Sequence, residues 1–453
     1  MKLTEILAEF LYYTELKNIP NTIIDIAQEH ILDCIGVTIA GSDDPSGKII
    51  TNFVKEMGGE PKVSVIRGGF KTSALQAALA NGTMAHALDY DDDYSDFTVA
   101  HPSAVVLPAA LAIGEENAVS GLDILEAYIL GIEAELTIGS ISNMVDINRG
   151  WHGTSTLGTL GAAAACSKIL KLDIEQIKIA MGIAASCSSG LRQNFGTMTK
   201  PFHAGSAAAN GVMAAKLAER GFTASKEIFE GPFGFLNLFS NKEEWELREG
   251  IINELGNPFK IQFPGIYIKQ YPCCAGTHSA IDGILNLVDK YKINPDDIKD
   301  ITCLVHPLNV SMLSYVNPKT SFEGKFSMHF CLAIALLDKE VGLEQFTDEK
   351  VLHSKTQDLI KKIHMDVNPA LKGKDYKPGA ILKVSLNNGH GHSNEVDTPE
   401  GSPKNRLTIE KLNAKYEKCC KLFLSDKEIN KTKKIIMNLS NIQNIEKLLD
   451  SIR

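Results

Sequence analysis

No two cysteines in this chain stand in a Cys-x-x-Cys spacing, although nine occur among its 453 residues. The number is odd, the positions are scattered, and the only neighbours are the adjacent pairs Cys273-Cys274 and Cys419-Cys420. That is a poor framework for disulfides or a zinc clamp, and it points to a reducing compartment, the cytoplasm. An iron–sulfur dehydratase is excluded on the same ground, because it needs a spaced set of cysteine ligands. Positive charge is also short, with 46 Lys and Arg against 55 Asp and Glu for a formal net charge of −9. Nucleic acids and anionic membranes call for a basic face, so neither is an expected partner. The apolar stretch Ala104 to Ile113 is interrupted by Pro108 and covers half a membrane span. The opening "MKLTEILAEFLYY" is amphipathic and acidic, without the apolar core of a signal peptide. Walker, Gly-x-Gly-x-x-Gly and Gly-x-Ser-x-Gly patterns are missing as well, which removes the common nucleotide and nucleophile-elbow readings.

What is present is the composition of a globular enzyme, 44% hydrophobic and 22% charged, with length for two or three domains. From Thr22 to about Ser240 the apolar residues recur at helical spacing, and "SGLDILEAYILGIEAEL" opens with Ser120 and Asp123 in capping-box register. Two segments, "HGTSTLGTLGAAAACSKIL" and "HAGSAAANGVMAAKLAERGF", are built from Gly, Ala and Ser. Glycine inside a helix costs about 1 kcal/mol against alanine, so its abundance there predicts tight helix packing or a nearby ligand. After residue 265 the texture changes. "DIKDITCLVHP" and "AILKVSLNNGHGHSNEV" read as strands, the latter a hairpin turning at Asn388-Gly389, with helices such as "GKFSMHFCLAIALLD" and "EKVLHSKTQDLIKKI" between them. The expected fold is mainly α. Residues 1–265 and 400–453 form a large all-helical domain from both chain ends, and residues 266–399 form a smaller α+β lid domain.

Chemistry concentrates in a few places. "HALDYDDDYSDFTVAHPSAVV" packs Asp89, Asp91, Asp92, Asp93 and Asp96 into eight positions beside a segment destined for a core. A solvated turn is the ordinary reading of such a run. Calcium would need a central Gly and terminal Glu, and a zinc or iron site would find only His86 and His101 at its flanks. The remaining reading is a set of acids and bases, with Asp89 following one helix and His101 beginning the next. Lys200 in "GTMTKPFHAGS" and Lys269 in "IYIKQYPCC" are cations among small or apolar residues. Buried, each requires an anionic partner, either a structural aspartate or a carboxylate ligand. Lys325 and Arg192 are weaker members of that set. His152, in "GWHGTSTLG", is the most functional-looking histidine because small neighbours let a ligand approach, and His203 follows it. His390 and His392 fall on the hairpin tip and read as surface.

Taken together, "NGTMAHALDYDD", "AHPSAVVLPAALA", "GWHGTSTLGTLGAAAA", "NFGTMTKPFHAGSAAANG", "EGPFGFLNLF", "IKQYPCCAGTH" and "GKFSMHF" resemble the MmgE/PrpD family over nearly the whole chain. That family includes 2-methylcitrate dehydratases, cis-aconitate decarboxylases and an iminodisuccinate epimerase. The resemblance implies a helical domain and an α+β lid in a homodimer, with the active site between the two domains. Its catalytic positions would be Asp89, Asp93, His101, His152, Lys200, Lys269 and Tyr315, with Arg192, His203, Cys274 and Lys325 binding a di- or tricarboxylate substrate. No metal or other cofactor is expected. The leading expectation is dehydration of a 2-methylcitrate-like hydroxy-polycarboxylate, with Asp89 as a general base and His152 moving a proton near its ordinary pKa. Epimerisation, decarboxylation and carboxylate binding without catalysis are the alternatives. Two departures from the decarboxylase branch weigh against decarboxylation: the loop from Asp89 to His101 is longer, with Asp93 facing a threonine of that branch, and Cys274 stands where the branch has a histidine.

Overall fold

Small residues decide how the first half of the chain packs. The structure, a computed structural model, describes residues 2–94, 99–143, 148–374 and 376–453, and Asp96 of the acidic run lies outside them. The Thr199–Glu219 helix is wedged between Ala74–His86 and Gly153–Ile169. A β-carbon on Gly205 would lie 2.2 Å from the Leu79 carbonyl oxygen, and one on Gly211 would lie 2.4 Å from the Ala162 β-carbon. Only glycine permits these crossings, so close packing, rather than a ligand, explains the glycines at these two positions. Gly205 faces Leu79 and Thr83 while Lys200 meets His86, so the first pair of helices runs antiparallel. Gly211 faces Ala162 while His203 meets His152, so the second pair runs parallel. Both arrangements deliver the ends that carry His86, His152, Lys200 and His203 to the same place.

Caps fix where those helices begin. Ser120 and Asp123 form the expected capping box of Gly121–Ser142, and Asp173 with Gln176 forms another for Ile174–Cys187. The first hydrophobic core runs from Leu3 to Ile268 and resumes from Leu412 to Ile452, so the chain's last helices pack back onto its first. Among the described residues a small hairpin interrupts the helices, β1 (Val63–Ser64) paired with β2 (Lys71–Thr72). No helix among the described residues is long and apolar enough to cross a membrane.

A second core, from Tyr271 to Val384, is organised by a four-stranded sheet. Its strands are β3 (Ile298–Val305), β4 (Ile363–Val367), β5 (Ala380–Leu386) and β6 (Gly391–Val396), in the order β4-β3-β5-β6. β3 pairs parallel with β4 and antiparallel with β5, and β5 turns into β6 with Gly389 at φ +86°. The hairpin thus lies where the Asn-Gly signal placed it. β4 was not legible. The sequence reads as helix through Ile363, but the helix ends at Ile360 and "IHMDV" pairs as an edge strand with alternate residues exposed. The helices His278–Tyr291 and Met328–Asp338 cover the sheet.

Candidate active site

The acidic run is not a solvated turn, because Asp89, Asp91, Asp92 and Asp93 are all buried. Each has its own partners. Asp92 accepts from the Ser103 amide at 3.1 Å and its hydroxyl, and lies 2.8 Å from His30 Nδ1, which fastens the loop to two helices. Asp91 Oδ2 lies 2.8 Å from His86 Nδ1 and 3.2 Å from His101 Nδ1. Asp93 exchanges two backbone hydrogen bonds of 2.8 Å with Tyr267, and its Oδ1 is 3.6 Å from His101 Nε2. Asp89 itself sits in the left-handed region at φ +52°, just past the Ala74–His86 helix, and turns its carboxylate toward two lysines.

Those lysines arrive from distant parts of the chain. Lys200 Nζ donates to Asp89 Oδ1 at 2.6 Å and to His86 Nε2 at 2.8 Å. Lys269, 0% exposed, donates to the Asp89 carbonyl at 2.9 Å and lies 3.3 Å from Oδ2. Burial alone would raise the Asp89 carboxyl, but Lys200, Lys269 and the neighbouring histidines outweigh it and hold it well below the usual carboxylate range. Burial likewise opposes the Lys269 charge, while Asp89, Asp91 and Asp93 hold its pKa above the ordinary lysine value. Burial lowers His86 to about 3 despite Asp91, so its ring is neutral. A neutral His86 facing a carboxylate at Nδ1 and an ammonium at Nε2 carries its proton on Nδ1.

A metal is the other reading of this cluster. His86, Asp89, Asp91 and His101 bring ligand atoms within 4.8 Å of one another. The Lys200 ammonium already bonds His86 Nε2 and Asp89 Oδ1, and a metal would have to displace it. The positive charge that balances this donor set is therefore supplied by lysine.

Opposite the lysines stands a histidine pair. His152 precedes the first turn of Gly153–Ile169, and its Nδ1 lies 3.0 Å from Nδ1 of His203, one turn into Thr199–Glu219. Burial, then the charges of Lys200 and the other histidines, pushes His152 well below the ordinary histidine pKa. This corrects the expectation of a value near the ordinary one. His152 Nε2 is buried without a hydrogen-bond partner.

Six of the expected residues, Asp89, Asp93, His101, His152, Lys200 and Lys269, line one narrow, partly open cavity of about 30 Å³, together with Cys274. Burial pushes the Cys274 thiol up to about 12, so it is neutral there. The other four do not reach the cavity wall. Tyr315 donates to the Phe195 carbonyl at 2.9 Å and so holds the ring that does line the cavity. Arg192 bonds Ser311 Oγ at 3.1 Å, Lys325 donates to the Ala87 carbonyl at 2.9 Å, and His203 stands behind His152. The rings of Phe195 and Phe326 lie 5.4 and 5.3 Å from the Lys200 ammonium, a contribution that sequence reasoning missed. Tyr376 was missed too, since nothing in its loop marks it. With Asp93 and Ala275 it is shared by the cavity and a neighbouring cleft of about 740 Å³. Away from the site, His392 stacks on Tyr291 at 3.9 Å on β6.

The chain matches the MmgE/PrpD N-terminal domain over residues 5–248 and the MmgE/PrpD C-terminal domain over residues 271–441. It is 28% identical to the cis-aconitate decarboxylase of Mus musculus across 91% of this chain and 86% of that protein. Similarity to the cis-aconitate decarboxylase of Aspergillus terreus is 27% across 96% and 92%, and to that of Homo sapiens 26% across 97% and 92%.

Proposed function

The chain belongs to the MmgE/PrpD family, and on that premise we propose that it is a lyase that decarboxylates a cis-aconitate-like tricarboxylate without a metal. The curated relatives favour this over the dehydration read from sequence. The observation that carries it is the state of Asp89, an ionised carboxylate bound by two buried lysines. Held that way, Asp89 is a poor base. Dehydration and epimerisation both begin by removing a proton from carbon, whereas loss of CO₂ needs no base.

The chemistry then asks for three things. Lys200 and Lys269 exchange part of their contact with Asp89 for the substrate's carboxylates. The methylene carbon of the substrate loses CO₂, and the electron pair it leaves moves through the adjacent double bond to the carbon α to a retained carboxylate. That centre is an aci-carboxylate, stabilised by the same buried ammoniums. His152, which lines the cavity and whose Nε2 is buried without a partner, donates the proton that completes a methylidene dicarboxylate. A cavity of about 30 Å³ is too narrow for a tricarboxylate, so it has to widen for binding.

Product analysis tests this directly. With cis-aconitate the expected products are CO₂ and the methylidene dicarboxylate, and 2-methylcitrate should be left unchanged. Consumption of 2-methylcitrate with no CO₂ from cis-aconitate would return the assignment to dehydration. Metal independence is tested separately. Because an ammonium occupies the centre of the donor set, turnover should survive exhaustive chelation unchanged. Activity lost to EDTA and restored by one defined metal would contradict it.

A further inference from the structure

Two imidazoles face each other nitrogen to nitrogen, with His152 Nδ1 and His203 Nδ1 3.0 Å apart. At that distance one nitrogen donates and the other accepts, so two neutral rings hold complementary protonation at the shared position. Burial, followed by Lys200, opposes charge on either ring and takes His203 down to about 4. Other groups around the pair leave the shared atoms alone. The His152 amide donates to the Gly190 carbonyl at 3.0 Å, and Ser155 Oγ donates to the His203 carbonyl at 3.2 Å. The rings of His86 and Phe195 lie 5.7 and 4.9 Å from that of His152, with Lys200 and His101 beyond.

The outer end of the pair differs from the inner end. His152 is 2% exposed and lines the cavity, whereas His203 is 7% exposed beneath the surface segment at Gly190. We propose that His203 and His152 form a two-ring proton relay that carries a solvent proton to the cavity, with His203 as the outer, positioning member. The relay rests on the reading of His152 as the proton donor. Before turnover His203 holds its proton on Nδ1 and donates to His152 Nδ1, which leaves His152 with its proton on Nε2. As His152 Nε2–H passes its proton to the substrate carbon, His203 Nδ1–H passes to His152 Nδ1, and His203 Nε2 takes a proton from water. Both rings end neutral with their tautomers exchanged, and the substrate gains one solvent proton. Once product leaves and solvent enters the cavity, water there protonates His152 Nε2, the shared proton returns to His203, and His203 Nε2 gives its proton to the hydroxide that the first transfer left outside, so that one hydroxide departs with solvent from the cavity for each proton the substrate gained.

Nitrogen-15 NMR of the substrate-free, full-length protein tests the ground state, with signals assigned by their loss in His152→Gln and His203→Ala. Two neutral rings sharing one proton between their Nδ1 atoms are expected. Both rings protonated only at Nε2 would overturn the relay whatever the substrate proves to be. The kinetic arm uses His203→Ala with cis-aconitate. Turnover should fall on the order of 10²-fold, the lower end of what a positioned proton donor contributes, with KM nearly unchanged. Added imidazole should restore it, and 1-methylimidazole, which fills the space with only one exchangeable nitrogen, should not. Unchanged turnover, or equal rescue by both compounds, would overturn the proposal. If His203→Ala fails to fold, or cis-aconitate is not turned over, the NMR result on the unmodified chain decides alone.

Discussion

Lys269→Met should abolish measurable decarboxylation of cis-aconitate, a loss of at least about 10³-fold, and lower the unfolding midpoint as well. Removing one partner of a buried ion pair typically costs about 3–5 kcal/mol, because the other charge stays behind unpaired. Lys200 still bonds Asp89 at 2.6 Å in that variant, so the stability loss should fall toward the lower end. Adding Asp89→Asn to the same chain removes the stranded charge and should return most of the midpoint. It should return none of the turnover, since the ammonium that receives the substrate carboxylate is still missing. Thermal denaturation and CO₂ release, measured on both variants, separate the two effects. Turnover that recovers with the midpoint would make the lysine a purely structural partner.

His152→Gln carries the second large effect. A general acid contributes about 10²–10⁴-fold, so turnover should fall by that order while the unfolding midpoint stays close to the unmodified protein's. Glutamine keeps a hydrogen-bonding group beside His203 but offers no nitrogen that passes protons between two positions. The comparison with Asp89→Asn is informative. As a counter-ion rather than a base, Asp89 should cost more in stability and less in turnover than His152 does. The reverse order of kcat losses would put Asp89 back in the role of base.

Much of the site was legible because the family motifs are contiguous around their reactive residues. His101, His152, Lys200 and Lys269 each sit in a run of small or apolar neighbours, and small neighbours leave space for a ligand. What the sequence did not disclose is the charge state of Asp89. Its partners lie 111 and 180 residues away, and whether burial or ion pairing wins depends on those two distances in space. The same holds for His203. Its motif marked it as ligand-binding, but only the meeting of two parallel helices turns it toward His152 Nδ1. Tyr315, Arg192 and Lys325 come from segments that support the cavity from behind. In the fold, capped helices and the Asn-Gly hairpin were readable from local chemistry, while β4 needs its parallel partner β3 to exist as a strand at all. Lys415 was equally silent. Charged and on a C-terminal helix rich in charged residues, it is buried against Asp33 at 2.6 Å and donates to the carbonyls of Tyr90 and Lys269.

Deuterium placement during turnover in D₂O is the most direct measurement of the account. With cis-aconitate as substrate and the reaction stopped at partial conversion, NMR should find one deuterium in the product, on the carbon α to a retained carboxylate. The recovered cis-aconitate should carry none, because a lysine-bound Asp89 removes no proton before CO₂ departs. Deuterium in the unreacted substrate, or a product formed without loss of CO₂, would contradict it.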